Sequence, residues 1–76
     1  MNNTIQVHRR KKGWPVVYLA EILGVSRATV YKWENGESIP EWPTMQALSH
    51  VLDAPIDSLF DRDEIGWARV NERRKK

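Results

Sequence analysis

Between positions 26 and 35 the chain gathers Ser26, Arg27, Ala28, Thr29, Tyr31, Lys32 and Asn35 around two apolar residues, Val30 and Trp33. Arginine and lysine bring positive charge and several hydrogen-bond donors, while serine, threonine and tyrosine bring hydroxyls. On a helix, Val30 and Trp33, three apart, face a core and leave Arg27, Ala28, Thr29, Tyr31 and Lys32 pointing outward. A helix is narrow enough for the major groove of DNA, and its first turns lie nearest the base edges. The chemistry implied is recognition, not bond-making.

Catalysis finds no support elsewhere in the chain. Ser26, Ser38, Ser49 and Ser58 read as helix caps or surface residues, and nothing orients His8 or His50 toward them. No glycine-rich phosphate loop and no paired carboxylates are present. The two histidines lack metal-pair spacing, and the absence of cysteine removes disulfides and thiolate-bound zinc. No enzyme, cofactor or metal is expected.

The elements that must position the recognition residues lie just before them, in residues 19–30. Ala20 is small enough to let two helices approach. Gly24 can take a positive φ at the corner, and Val25 plugs the inside of the turn. Ser26 caps the following helix, which ends at Asn35 and Gly36. A plain helical hairpin explains Ala20, Gly24 and Val25 equally well. It does not explain an outward-facing helix start that carries arginine, threonine and lysine.

Around this unit, Gly13, Gly24, Gly36 and Gly66 alternate with Pro15, Pro40, Pro43 and Pro55, and the intervals suit short helices. The first is expected from a Thr4 cap to Lys12, with Ile5, His8, Arg9 and Lys12 inward and Gly13 beyond its end. The second starts at Pro15 and ends at Leu23, with Leu19, Ala20 and Leu23 on one face. The fourth begins between Trp42 and Thr44 and runs to Leu52, burying Met45, Leu48 and Leu52. The fifth is a turn or two from Ile56 to Phe60. At 76 residues the chain forms one small domain that buries roughly 60% of its unfolded surface. The longest apolar run, from Val16 to Ala20, is far short of the ~20 residues of a membrane span. No signal peptide is evident at Met1, so a cytoplasmic location is expected.

Charge is segregated. Through residue 60, six bases (Arg9, Arg10, Lys11, Lys12, Arg27, Lys32) balance six acids. The net charge of +2 comes from residues 61–76, which end in Arg73, Arg74, Lys75 and Lys76. A basic end of this kind suits backbone phosphates without sequence preference.

From Ile5 to Phe60 the chain resembles the Cro/phage-repressor helix-turn-helix regulators. The strongest match runs through Leu19, Ala20, Gly24, Val25, Ser26 and Arg27 to Trp33, Glu34, Asn35 and Gly36. Pro40, Leu48, Leu52, Ile56 and Leu59 match the second half. The resemblance implies an all-α, compact five-helix domain over residues 1–60, with a tail at 61–76. It implies sequence-specific binding of a double-stranded operator by a transcriptional regulator, most simply a repressor. Arg27, Ala28, Thr29 and Lys32 stand where the family contacts bases, with Tyr31 beside them. An arginine there can fork onto guanine, and an alanine methyl can meet thymine's. Ser26, Asn35 and Val16 stand at phosphate-contacting positions. Arg9 and Glu34 match a partly buried ion pair.

The departures are informative. Pro15 and Val16 replace the family's hydroxyl and glutamine at the start of helix two, removing a side-chain cap and polar contacts to phosphate. His8 replaces a leucine and reads as a hydrogen-bonded core histidine. Glu37 and Glu41 stand where bases often help. Val17, Tyr18 and Ile22 make the outer face of helix two apolar, a candidate surface for a protein partner such as a toxin or polymerase. Asp61 and Glu64 can box a sixth helix carrying Ile65, Ala68 and Val70, or Ile65 and Trp67 can form an edge strand; Gly66 weakens both. Phe60, Ile65, Trp67 and Val70 exceed what so small a core can hide, so a weak homodimer on a near-palindromic site is expected.

Overall fold

Six helices follow one another in the computed structural model, which describes residues 4–74 and the side chains of residues 4–72. They are α1 (Ile5–Lys11), α2 (Val16–Leu23), α3 (Arg27–Glu34), α4 (Trp42–Leu52), α5 (Ile56–Leu59) and α6 (Arg62–Arg74). No strand occurs among the described residues. The fold is all-α, as the sequence implies, with one helix more than five.

The sixth helix settles the two readings of the tail. Asp61 Oδ1 accepts from the Glu64 N–H at 2.9 Å, and Glu64 Oε1 accepts from the Asp61 N–H at 3.0 Å. This reciprocal capping box satisfies two donors that a helix start otherwise leaves open. It outweighs Gly66, and the edge strand does not form. Lys75 and Lys76, with the side chains of Arg73 and Arg74, lie outside what is described, so the basic end has no structural account.

One core joins all six helices: Ile5 of α1, Val16, Leu19 and Ala20 of α2, Val30 and Trp33 of α3, Met45, Leu48 and Leu52 of α4, Leu59 of α5 and Ala68 of α6. Phe60 is buried and Ile65 half-buried against the same core. The expectation that both would be left for a partner is therefore corrected: α6 packs across α4 and α5 and covers them. Arg69 of α6 also places its guanidinium 5.0 Å from the ring centre of Trp42, a favourable cation–π arrangement.

Three local expectations are revised. Pro15 is the extended N-cap of α2 rather than its first helical residue. Thr4 makes no side-chain cap; its hydroxyl donates to the Ser58 carbonyl, tying the chain start to α5. Lys12 is exposed at the end of α1, where it donates to Asp53 Oδ2 at 2.8 Å. His8 is half-buried, with Nδ1 3.0 Å from the Thr4 carbonyl. No helix among the described residues is long and apolar enough to cross a membrane.

Candidate nucleic-acid interface

The corner between α2 and α3 is built by three residues. Gly24 ends α2 at φ +71°, in the left-handed region that a side chain disfavours. The next amide, Val25 N–H, turns back to the Ala20 carbonyl at 3.0 Å. Ala20 is buried, and Val25 packs half-buried against the core beneath the turn. Ser26 then starts α3: its Oγ accepts from the Thr29 N–H at 3.1 Å, the bond expected of an N-cap.

α3 is held along one side and at its far end. Val30 and Trp33 are buried. Glu34, in the last turn, meets Arg9 of α1 in a two-pronged contact. Arg9 Nε donates to Oε2 at 2.7 Å and Nη2 to Oε1 at 3.2 Å. A third donor, Nη1, reaches the Trp14 carbonyl at 2.8 Å. The two side chains are only 9% and 3% exposed, so each charge depends on the other for the solvation it has lost. The clamp ties α1, the α1–α2 loop and the end of α3 together.

The opposite face of α3 is open. Arg27, Ala28, Tyr31 and Lys32 are exposed, and Asn35 is exposed at the C-cap. Thr29 is half-buried, its hydroxyl 2.9 Å from that of Ser26. A hydroxyl pair uses one O–H between its members, so the other remains able to donate outward. Val16 departs from this group: its side chain is buried, and what it can offer a phosphate is the backbone N–H of the first turn of α2. Glu37 and Glu41 are exposed in the loop after α3.

Val17, Tyr18 and Ile22 are exposed along the outer face of α2. Trp14 stacks edge-on against Tyr18, with ring centres 5.0 Å apart, and the Lys12 ammonium sits 5.4 Å from the Trp14 ring centre. Neither the Trp14 carbonyl's role in the clamp nor this aromatic group was anticipated. A backbone acceptor carries no residue-type signal, but the spacing of Trp14 and Tyr18 could have signalled the second.

The helix-turn-helix family pattern matches residues 5–59. The chain is 30% identical over 56 residues to the HTH-type transcriptional regulator AnsR of Bacillus subtilis, covering 74% of this chain and 48% of that protein. It is 33% identical over 64 residues to the HTH-type transcriptional activator BcrR of Enterococcus faecalis, covering 84% and 31% respectively. It is 34% identical over 64 residues to the SPbeta prophage-derived uncharacterized HTH-type transcriptional regulator YonR of Bacillus subtilis, covering 75% and 59%. The chain thus spans less than two thirds of each of these relatives. A sharp glycine corner, a capped and clamped α3, and a family match over most of the chain agree: the chain belongs to the Cro/C1-type helix-turn-helix family of DNA-binding domains.

Proposed function

We propose that α3 enters the major groove of an operator and reads its sequence, and that the chain regulates transcription from that operator in the cytoplasm. The observation that carries this reading is the asymmetry of α3. Its inner face and far end are fixed by Val30, Trp33 and the Arg9–Glu34 pair, while Arg27, Ala28, Tyr31 and Lys32 stand free on the outer face. A rigidly held helix presenting such groups has the form required for direct readout. Arg27 is assigned to guanine, the Ala28 methyl to a thymine methyl, and Thr29, Tyr31 and Lys32 to neighbouring base edges. Ser26, Asn35 and the Val16 N–H are assigned to phosphates.

Residues 1–60 are the reading unit in this proposal, and residues 61–76 serve assembly. A single unit reads few base pairs, and neutral charge through residue 60 gives little nonspecific grip. Two copies on a near-palindromic site, with half-sites about 34 Å apart, supply the missing specificity. Occupying an operator is enough to block transcription, which makes repression the simplest output. The exposed face of Val17, Tyr18 and Ile22 is the place for a protein partner, a toxin or polymerase, if one binds beside DNA.

Selection of bound sites from a random duplex library, followed by anisotropy on the winning and scrambled duplexes, tests the reading. An enriched motif with tighter binding to the winner supports it. Equal affinity for both duplexes removes sequence-specific readout. A reporter driven from the selected site gives the sign: expression that rises with the protein contradicts repression.

A further inference from the structure

Ser26 and Thr29 meet at the first turn of α3, their hydroxyl oxygens 2.9 Å apart. Ser26 Oγ also accepts from the Thr29 N–H at 3.1 Å. A hydroxyl has one proton and two lone pairs. The Thr29 N–H occupies one lone pair of Ser26 Oγ, which leaves that oxygen its second lone pair and its own proton. Two arrangements of the pair remain. Either Thr29 donates to Ser26 and the Ser26 proton turns outward, or Ser26 donates to Thr29 and the Thr29 proton turns outward.

A DNA phosphate decides between them. Ser26 is exposed and Thr29 half-buried, and the function proposed above sets Ser26 against a phosphate, whose oxygens only accept. That contact requires the Ser26 proton, so Thr29 must donate to Ser26. The opposite arrangement would set lone pairs against lone pairs. Thr29 Oγ1 is then left with lone pairs alone. Its charged neighbours on the reading face are of the other kind: Arg27 and Lys32 only donate, and suit the carbonyl and N7 acceptors of bases.

We propose that Ser26 is a positioning residue that sets the base preference of Thr29. By taking the Thr29 proton it makes that hydroxyl an acceptor. Thr29 then selects a base with a major-groove amine, adenine or cytosine on the strand it faces, and rejects guanine and thymine there. Adenine N6 and cytosine N4 donate in that groove, whereas guanine O6 and thymine O4 accept. The inference rests on the proposed phosphate and base assignments of Ser26 and Thr29 and adds the direction of the hydrogen bonds. Phosphate contacts carry no sequence information directly; here one carries it through its neighbour.

Site selection from a random duplex library with the wild type, Thr29→Val, Ser26→Gly and Ser26→Thr tests this, with thermal melts of each. Valine keeps the shape of threonine without its oxygen, and glycine weakens an N-cap far less than alanine does. The expected result is one position that carries adenine or cytosine in the wild type and relaxes in Thr29→Val. Removing the amine there, with purine for adenine or 2-pyrimidinone for cytosine, should weaken wild-type binding about threefold to tenfold. The same change should leave Thr29→Val nearly unaffected. Ser26→Gly frees the Thr29 proton, so the position should now admit guanine or thymine, and Ser26→Thr should restore the restriction. A purely structural Ser26 would weaken all duplexes alike and shift no base preference. The proposal is overturned if Thr29→Val relaxes no position, if the relaxed position carries guanine or thymine, or if Ser26→Gly leaves its preference unchanged. Each of those outcomes keeps the sequence-specific reading, because a motif is still enriched. A wild type that enriches no motif removes the DNA reading itself, and this inference with it.

Discussion

Gly24 and Gly66 stand in two helical regions of one small domain for different physical reasons. Gly24 holds a left-handed backbone between α2 and α3, with Ala20 and Val25 packed around it. The buried charges that hold that region are answered within the chain too, since Arg9 and Glu34 satisfy each other. In α6 the capping box and Ala68 are likewise internal, yet Gly66, Trp67 and Val70 have no such account. The contrast teaches where to look for partners: at residues whose local cost has no local return.

The largest expected effect tests whether the first region is self-contained. Arg9→Ala or Glu34→Ala leaves one charge in a site where both side chains are less than a tenth exposed. Each should destabilise by about 3–5 kcal/mol, with the double mutant losing much less than the sum. Thermal or urea melts of the four proteins measure the coupling. Strictly additive losses show two independent side chains instead of a pair.

Next comes the reading face, where the effect falls on binding and not on folding. Arg27 is exposed and makes no contact that the fold needs. Arg27→Ala should cost about 1–3 kcal/mol on the selected operator and relax one base position, with the melting curve unchanged. Uniform weakening on all duplexes would reassign Arg27 to phosphate.

Ser26→Ala joins the two properties. It removes the acceptor for the Thr29 N–H and the partner of the Thr29 hydroxyl. Loss of an N-cap of this type destabilises by about 1 kcal/mol. Gly66→Ala should move stability the other way by up to about 1 kcal/mol, because it removes glycine from an exposed helix interior. If Gly66→Ala destabilises instead, Gly66 has an internal role and the contrast between the regions fails.

Legibility in the sequence follows the same division. Helix ends marked by a residue type with one local job were readable, as Ser26 and Gly24 show, and so were inward positions three or four apart, such as Val30 with Trp33. The reach of α6 was not. Asp61 and Glu64 argued for a helix and Gly66 against it, and whether Phe60 and Ile65 would be covered depended on how that helix lies over α4 and α5. Long-range pairings between exposed groups were also invisible. Lys12 looked like part of an inward stripe, yet it sits at the end of α1 beside a residue 41 positions away. Val16 shows a further limit: a position matched to phosphate contact can keep its backbone amide available while its side chain turns to the core.

That Lys12–Asp53 contact carries the smallest expected effect. Asp53 ends α4 at φ +55°, a conformation tolerated best by glycine, asparagine and aspartate. The hydrogen bond from Lys12 holds its carboxyl below the usual carboxylate value, and the charges of Lys12 and, more weakly, His50 add to this against a small opposing effect of burial. A carboxyl with a lowered folded-state pKa stabilises the fold above its unfolded pKa and loses that contribution as pH falls through the folded value. The contact is solvent-exposed, so salt screens it and its contribution is small. Asp53→Asn keeps the left-handed backbone and removes the charge. Its melting temperature should fall slightly below the wild type's near neutral pH in low salt, and the two should converge in acid or in high salt. A difference that persists at pH values below the carboxylate range would locate the role of Asp53 in its backbone geometry and not in the ion pair.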